Sequence, residues 1–410
     1  MNRLLSALGN PHRSFKSIHI AGTKGKGSTA TMLAEMLRAS GFKVGLYTSP
    51  HLLSIRERII VGGKMISESA FAKAVRAVVN ITAKARVPKP TYFEVLTAAA
   101  FHYFVTAEVD IAVVETGLGG RLDATNVLAP EVIGLTSISR DHTLQLGEDL
   151  SSIAKEKAAI IKKRIPVVSA PQVASVKELI REAAAAVDAP LRFSDEGVDF
   201  SYRFEFSRAA GRHARICMTT ATSRFEHVLV PLFGEHQATN CSVALNILDA
   251  LKSRGFSIDD QQAISGLANV RLPGRMQIIC EEPRILVDGA HNAASINALM
   301  RATGQHIPYD SMIVIFGCHK DKDIPGMLRR LQLGADKMIF VSTGSPRSAD
   351  PAELAAQYTE SSGKMAQVAE TLEEAMRIAV SAITREDVIC ITGSFYLIAE
   401  AMRKFSTQPL

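Results

Sequence analysis

A glycine-rich segment at residues 22–29, Gly-Thr-Lys-Gly-Lys-Gly-Ser-Thr, joins an apolar run to a stretch with helical periodicity. Glycines let the backbone turn tightly and direct its N–H groups at an anion, and a helix start adds the positive end of its dipole. The segment departs from the usual phosphate-loop pattern, because Ile20 replaces the first glycine and Gly27 separates Lys26 from the hydroxyl residue. It predicts a strand–loop–helix unit that binds nucleotide phosphates; a glycine-rich turn without a ligand is the alternative. The predicted phosphate-binding residues are Gly25, Lys26, Gly27 and Ser28.

Short β-branched runs alternate with helical patterns along the first part of the chain, which is typical of a parallel sheet covered by helices. Strands are predicted at 17–21, 43–48, 110–114, 132–138 and 166–169, and helices at 70–84, 96–104 and 151–163. The predicted fold class is α/β, with a P-loop-type, mostly parallel sheet that has helices on both faces.

The pattern changes to short alternating segments around 195–232, which predicts β-hairpins followed by a helix at 237–251. A turn cluster at 271–274 then precedes a second strand–helix series. The strands of that series are predicted at 284–287, 312–316, 337–341 and 387–391. We therefore predict an ATP-binding domain over residues 1–272 and a smaller Rossmann-like α/β domain over residues 273–410.

Composition excludes several classes of protein. Of the 410 residues, 47% are hydrophobic and 21% charged, which indicates a globular chain, and the net charge of +6 favours anionic small ligands over nucleic acid. No apolar run approaches the length that spans a membrane, and residues 1–15 do not read as a signal peptide. The five cysteines are scattered without a CxxC pair, so we expect no disulfide framework, no zinc site and a cytoplasmic location. We also expect a monomer that acts on small molecules.

Polar segments follow four predicted strands of the first domain at the points where the strands end. The segments are 22–29, 47–51, 115–121 and 139–142. Because ligands bind beyond the carboxyl ends of parallel strands, these segments are expected to share one edge of the sheet.

Three residues of this edge are candidate metal ligands. Glu115 closes an apolar strand, where phosphate-handling folds place a metal-directed acid; a strand-end salt bridge is the alternative. Ser49 offers a hydroxyl, although it also suits a turn before Pro50. His142 offers an imidazole, although alone it reads as a surface loop residue.

Lys157 lies on the apolar stripe of the predicted helix at 151–163, four residues after Ile153. A lysine that faces a core must snorkel to solvent, pair, or lose its charge. A neutral amine is nucleophilic, and carbamylation would turn it into a carboxylate that can hold a second metal ion. A snorkelling lysine is the alternative.

Three residues of the second domain are candidates for ligand binding. Asp288 and His291 follow a predicted strand, with an Asx-type helix cap as the structural alternative. Arg275 suits a phosphate, or a linker salt bridge. By contrast, Asp321 and Asp323 are interpreted as part of an ordinary helix start, with Asp323 as the cap.

Together these motifs resemble the folylpolyglutamate synthase and dihydrofolate synthase family of the Mur ligase superfamily. The segments that carry the resemblance are Ala21–Ser28, Tyr47–Leu52, Arg56–Arg58, Thr91–Glu94, Glu115–Asn126, Asp141–His142, Glu156–Lys157, Gly234–Gln237 with Asn240, Pro273–Arg275 and Asp288–Asn292. They span nearly the whole chain, and Glu115–Asn126 is the most specific of them.

The resemblance implies an ATP- and Mg²⁺-dependent ligase that adds L-glutamate to a folate or dihydropteroate carboxylate through an acyl phosphate. It implies Lys26, Lys157 and His142 as catalytic residues, and Ser49, Glu115, His142 and carbamylated Lys157 as magnesium ligands. The implied ATP contacts include Asn240, Arg275, Asp288 and His291, and the implied pterin contacts are Thr91, Tyr92, Phe93, Glu94 and Leu122. Residues that bind glutamate are expected in loops 319–322 or 342–347.

Two positions depart from the family pattern: Lys24 stands where many bacterial members have Asn, and Ala159 replaces a usual glycine. Two other functions compete with the ligase reading. A peptidoglycan-type Mur ligase is disfavoured because Gly27, not a hydroxyl residue, follows Lys26. A nucleotide switch is disfavoured because the chain has no Asn-Lys-x-Asp tetrapeptide for reading guanine.

Overall fold

In a computed structural model of the protein, which describes residues 1–85, 88–207, 211–220 and 222–407, the chain divides into two units. The first unit contains Met1–Pro231 and His236–Arg271, and the second contains Leu232–Glu235 and Leu272–Leu410.

An eight-stranded sheet is the framework of the first unit. Its strands are β1 (Lys16–Ala21), β2 (Val44–Tyr47), β3 (Ile59–Val61), β4 (Lys64–Met65), β5 (Ile111–Glu115), β6 (Val132–Leu135), β7 (Val167–Ser169) and β8 (Leu191–Phe193). They lie in the order β4-β3-β2-β5-β1-β6-β7-β8, and six of them run parallel while β3 and β4 form an antiparallel edge. The central strands are buried along nearly their whole length, as parallel strands covered on both faces must be.

Helices cover this sheet and supply most of its packing partners. They are α1 (Asn2–Ala7), α2 (Lys26–Ala39), α3 (Glu68–Lys84), α4 (Tyr92–Thr106), α5 (Thr143–Leu146), α6 (Leu150–Ala158), α7 (Ala174–Ala185), α8 (Glu235–Ser253) and α9 (Asp260–Leu267). Phe101 and Phe104 of α4 are fully buried in one core cluster with Val114 of β5, and Ile153 and Ile180 are buried in another beside β6 and β7. The predicted mostly parallel sheet with flanking helices is confirmed.

The hairpin-rich segment forms a three-stranded antiparallel sheet of β9 (Asp199–Ser207), β10 (Gly211–Thr219) and β11 (Arg224–Val230), in the order β11-β10-β9. The predicted change from parallel to antiparallel structure is therefore present, although residues 208–210 and 221 of this segment lie outside the described residues.

The second unit is built on a six-stranded sheet. Its strands are β12 (Gln277–Glu281), β13 (Arg284–Asp288), β14 (Met312–Phe316), β15 (Lys337–Val341), β16 (Gln367–Ala369) and β17 (Val388–Thr392), in the order β12-β13-β17-β14-β15-β16. All but β12 run parallel. The helices are α10 (Ala293–His306), α11 (Ile324–Leu331), α12 (Pro351–Ser362), α13 (Leu372–Ser381) and α14 (Phe395–Phe405). Asp323 caps α11 by accepting a hydrogen bond from the Gly326 backbone, which confirms its interpretation as a cap.

The helix predicted at 151–163 is shorter in the structure, because α6 ends at Ala158. The carbonyl of Glu156 accepts a hydrogen bond from the backbone of Arg121 rather than from the next helical turn, and Arg164 adopts a positive φ of 58°. Pro166, seven residues after the cap residue Ala159, further opposes extension of the helix. The apolar stripe nevertheless stays buried through Ile161.

Two predictions from composition can be set against the described residues. All five cysteines are free thiols, as expected of a chain without a disulfide framework. Among the helices that the structure describes, none has the length and apolar character needed to cross a membrane.

Candidate active site

The carboxyl ends of four neighbouring parallel strands, β2, β5, β1 and β6, carry the four polar segments singled out in the sequence. The register pairs Ile20 of β1 with Glu115 of β5, and Val114 with Tyr47 of β2. The strand order therefore brings together segments that are up to about a hundred positions apart in sequence. The side-chain contacts among these segments determine which ligands this edge of the sheet can bind.

The glycine-rich loop packs so closely against its neighbours that two positions have no room for a side chain. A Cβ on Gly22 would lie 1.9 Å from Oγ1 of Thr136, and a Cβ on Gly25 would lie 2.0 Å from Oδ1 of Asn240. Gly25 also has a φ of +86° where it caps α2, a conformation that side-chain-bearing residues rarely adopt. The loop thus needs glycine for conformation and for space, and it leads into the start of α2, a position that favours anions.

Replacing Gly25 with alanine is expected to cost more stability than a positive φ alone explains. The matched control is Gly41→Ala, since Gly41 has a φ of +90° but nothing within 4 Å of the added Cβ. We expect about 1 kcal/mol for the control and roughly 1–3 kcal/mol more for Gly25→Ala, because the methyl group collides with Asn240. Urea unfolding of both variants measures the difference, and equal losses would contradict the close contact.

Lys26 is the first residue of α2, and its side chain points along the sheet edge toward β5. Its Nζ lies 3.9 Å from Oε1 of Glu115 and 3.4 Å from the carbonyl oxygen of Thr23. Glu115 is buried, with 4% exposure, and its other oxygen accepts a hydrogen bond of 2.9 Å from the Ser49 backbone. The predicted phosphate cation and two of the predicted metal ligands therefore lie side by side.

The ligands around Glu115 suit Mg²⁺ better than a metal ion that takes all of its ligands from protein side chains. Within the described parts of the chain, no three His, Cys, Asp or Glu side chains come close enough together to hold a metal ion. Mg²⁺ takes oxygen ligands, keeps several waters, and is usually bound through one or two carboxylates plus substrate phosphates. A buried carboxylate that is bonded to the Ser49 backbone and lies next to the phosphate-loop lysine fits that pattern.

His142 is placed less decisively than Glu115. It adopts a positive φ of 51° at the start of α5, and its side chain is 47% exposed. Its backbone N–H donates to Oδ1 of Asp141, and its Nε2 lies 4.0 Å from the same oxygen. The structure thus places His142 on an exposed segment that follows β6, and its role as a metal ligand stays a prediction.

Lys157 does not snorkel to solvent. Its side chain is 4% exposed, and its Nζ donates a 2.9 Å hydrogen bond to the carbonyl oxygen of Gly22 at the start of the glycine-rich loop. Burial, together with the nearby Lys26 charge, lowers the pKa of Lys157 to about 7. A lysine on α6 is thereby tied to the predicted phosphate loop, 135 residues away in sequence.

Lys24 was noted in the sequence only as a departure from the family pattern, yet it occupies an unusual environment. Its backbone N–H bonds to the carbonyl of Ser137, while its Nζ is buried without a hydrogen-bond partner among the described residues. Burial lowers the pKa of the ammonium to about 8, against the attraction of Asp141. No sequence pattern indicated that this side chain turns inward.

The Lys24 ammonium is expected to destabilise the ligand-free protein, so Lys24→Met should raise its stability. Below about pH 8 the lysine is charged in both the folded and unfolded states, and the desolvation cost is fully present. Between about pH 8 and 10.5 the folded state releases its proton first, so wild-type stability rises with pH and the advantage of Lys24→Met shrinks. The lowered pKa corresponds to an advantage on the order of 3 kcal/mol at neutral pH. Urea unfolding at pH 7 and pH 10 measures it; a variant less stable than wild type at pH 7 would contradict the burial.

Asn240 is buried on α8, where its side-chain amide donates to Gln237 and its Oδ1 borders Gly25. This contact joins α8 to the glycine-rich loop. The backbone carbonyl of Asn240 also accepts a hydrogen bond from the Thr29 hydroxyl, 211 positions away in sequence. Sequence patterns alone could not have predicted contacts over such a separation.

The residues implied as pterin contacts lie at the start of α4 and beyond β5. Thr91 caps α4 in a reciprocal capping box with Glu94, whose carboxylate also accepts a hydrogen bond from the Met1 amino group. The Phe93 ring fills the space above Gly117, whereas Tyr92 and Leu122 are 61% and 79% exposed. Thr91 and Glu94 therefore stabilise the start of α4. The role of this set in binding a pterin stays a prediction.

In the second unit, Arg275 and His291 both lie beside the ring of Phe395, and Asp288 lies near Arg275. The Arg275 guanidinium lies 5.0 Å from the Phe395 ring centroid, and the His291 ring lies 5.7 Å from it. Asp288 accepts backbone hydrogen bonds from Met276 and Ala290, and burial raises its pKa despite the nearby Arg275. The Asx-type turn considered for Asp288 is thus present, while Asn292 rather than His291 caps α10.

The two loops expected to bind glutamate contact each other. The backbone N–H of Lys320 donates to the carbonyl of Arg347 at 3.0 Å, and Arg347 forms an ion pair with Asp321 at 2.9 Å. His319 is also held near the Tyr396 ring, at 5.5 Å between centroids. Both loops follow parallel strands of the same sheet, which explains their proximity.

Comparison with known proteins identifies two family domains in the chain. Residues 20–248 match the Mur ligase middle domain, and residues 274–395 match the glutamate ligase domain of Mur ligases. The first match includes the whole glycine-rich loop, Glu115 and Lys157.

Individual relatives are similar over almost their entire length. The dihydrofolate synthase/folylpolyglutamate synthase of Bacillus subtilis is 32% identical over 98% of this chain and 94% of its own length. Folylpolyglutamate synthase of Mycobacterium tuberculosis, solved in complex with ADP and AMPPCP, superimposes with a TM-score of 0.92 at 34% identity and covers 100% of this chain and 95% of that one. Escherichia coli FolC, solved in complex with DHPP and ADP, gives a TM-score of 0.86 at 30% identity, covering 98% and 92% of the two chains. The resemblance read from the motifs is confirmed: this chain belongs to the folylpolyglutamate synthase and dihydrofolate synthase family of ATP-dependent Mur-type ligases.

Proposed function

We propose that this protein uses ATP to join the amino group of L-glutamate to a carboxyl group of a folate or of dihydropteroate. The observation that carries the proposal is the arrangement at the sheet edge, where the glycine-rich loop, Lys26, buried Glu115 and buried Lys157 lie together in a chain of this family. Two negatively charged reactants have to meet there, so cationic side chains are required to offset their repulsion.

The reaction proceeds in two steps. An oxygen of the acceptor carboxylate attacks the γ-phosphorus of ATP, the bond to the ADP oxygen breaks, and an acyl phosphate forms. The glutamate amine then attacks the acyl carbon, inorganic phosphate leaves, and the amine loses a proton as the amide forms. Lys26 and the N–H groups at the start of α2 stabilise the phosphate charge in both steps.

Glu115 and the Ser49 hydroxyl are the residues that would hold Mg²⁺, with His142 at the edge of the set. The bound ion supplies charge neutralisation to the phosphates of ATP. Lys157, as a carbamate formed from its neutral amine and CO₂ with release of a proton, would contribute a second carboxylate. Its burial and lowered pKa support this role.

The remaining assignments follow from the same proposal. Asn240 on α8 and Arg275, Asp288 and His291 in the second unit are nucleotide contacts, and the start of α4 with Leu122 contacts the pterin side of the acceptor. The protein acts as a cytoplasmic monomer on small molecules, with the nucleotide-binding part in residues 1–272 and the Rossmann-like part in residues 273–410. The cationic sheet edge supports small anionic ligands in particular.

The test is a phosphate-release assay with ATP, Mg²⁺, L-glutamate and, in separate reactions, tetrahydrofolate or dihydropteroate. Release that depends on an acceptor, with a product heavier by one glutamyl group, is the expected result. Activity only with a nucleotide-linked muramoyl acceptor would indicate a peptidoglycan-type ligase. Nucleotide binding without any glutamylated product would indicate a switch, and either outcome would refute the proposal.

A further inference from the structure

Three lysines from two elements surround a small number of carboxylates at the sheet edge. Lys24 and Lys157 are both attracted by Asp141, and Lys157 is repelled by Lys26, which lies 3.9 Å from Glu115. Asp123 and Glu156 also act on Lys157, but Asp123 already accepts from Thr125 and Glu156 already pairs with Arg121. Lys24 and Lys26 are therefore the two lysines that the loop itself offers to a polyanion, whichever state Lys157 is in.

We propose that Lys24 is a second polyphosphate-binding cation of the glycine-rich loop, acting on the phosphate chain of the nucleotide beside Lys26. The inference rests on the proposed function and extends it to a residue that the phosphate-loop pattern does not include.

The geometry of Lys24 supports a role toward a ligand rather than within the fold. Its backbone is fixed by the hydrogen bond to Ser137, and the adjacent Thr23 hydroxyl exchanges hydrogen bonds with Ser139, so the loop holds its shape without the Lys24 side chain. Its Nζ, by contrast, is buried and makes no hydrogen bond within the described residues. A buried ammonium without a hydrogen-bond partner carries a desolvation cost that a bound phosphate oxygen would remove.

A structural role and a binding role predict opposite effects of Lys24→Met. If Lys24 served the fold, for example as a partner of Asp141, its loss would lower the stability of the ligand-free protein. If it serves the ligand, its loss raises the stability of the ligand-free protein and weakens nucleotide binding. The buried charge costs folding free energy in the ligand-free protein, and only a bound phosphate offsets that cost.

The experiment is calorimetric titration of wild type, Lys24→Met, Lys24→Arg and Lys43→Met with AMPPCP, combined with urea unfolding of each ligand-free protein. Lys43 is an exposed lysine on the same unit and serves as the control. We expect Lys24→Met to bind AMPPCP roughly tenfold or more weakly, Lys24→Arg to recover part of the loss, and Lys43→Met to match wild type. In steady-state assays Lys24→Met should raise the KM for ATP and leave the KM for the acceptor unchanged.

The outcomes separate this inference from the proposed function. Wild-type affinity in Lys24→Met, a loss of ligand-free stability that parallels the loss of affinity, or a raised KM for the acceptor alone would each overturn the role of Lys24 while leaving the ligase intact. Failure of wild type itself to bind AMPPCP would refute the proposed function, and the assignment of Lys24 with it.

Discussion

Lys26→Ala is expected to lower turnover at least about a hundredfold, the scale seen when a single preorganised donor to a developing anion is removed. Lys26 stands at the start of α2 with its ammonium 3.9 Å from Glu115, and it is the cation best placed to follow charge on a transferred phosphate. Its removal also leaves buried Glu115 without this nearby positive charge. Steady-state phosphate release at saturating ATP and glutamate measures the effect.

The control for this variant is Lys43→Ala, which removes an exposed lysine of the same unit and should retain wild-type turnover. Lys26→Arg keeps the positive charge but changes its shape and reach, so partial activity is expected. Near-normal turnover of Lys26→Ala, with an unchanged KM for ATP, would show that the phosphate charge is stabilised elsewhere and would contradict the role of the loop lysine.

The sheet edge that carries the site could be predicted from sequence because its determinants are local. Each parallel strand is a short buried run, as in Ile111–Glu115, and the polar residues that follow it must emerge at the carboxyl end. The alternation of strands and helices then makes neighbours of several such ends. The short strands β3, β4, β8 and β16 were not predicted, because two or three residues carry too little periodicity to be distinguished from a loop.

Features that depend on side-chain direction or on distant contacts could not be read from the sequence. The inward turn of the Lys24 side chain follows from the packing around it, and the approach of Asn240 to Gly25 joins segments more than two hundred positions apart. The ring of Phe395 lies beside both Arg275 and His291, which are more than a hundred positions away in sequence. The early end of α6 likewise depends on a distant contact, because the backbone N–H of Arg121 donates a hydrogen bond to the carbonyl of Glu156.

Lys157→Ala is expected to be nearly inactive, with turnover reduced on the order of a hundredfold or more. The ammonium of Lys157 holds the first carbonyl of the glycine-rich loop, and the family resemblance makes the same residue the carbamate ligand. Either function is lost in the alanine variant, since a methyl group can neither donate to Gly22 nor carry a carboxylate. Lys155→Ala is the matched control, because Lys155 lies on the same helix but faces solvent, and it should retain activity.

Two further measurements separate the two functions of Lys157. If the carbamate is the working group, acetate or another short carboxylate should restore part of the activity of Lys157→Ala, because it returns the missing oxygens to the cavity. If the hydrogen bond to Gly22 is the working contact, Lys157→Gln should retain activity without any added acid, since its amide still donates. Intact-mass spectra of active wild type in bicarbonate buffer complete the argument. An unmodified Lys157 in fully active enzyme would remove the carbamate from the mechanism and leave the lysine as the residue that positions the phosphate loop.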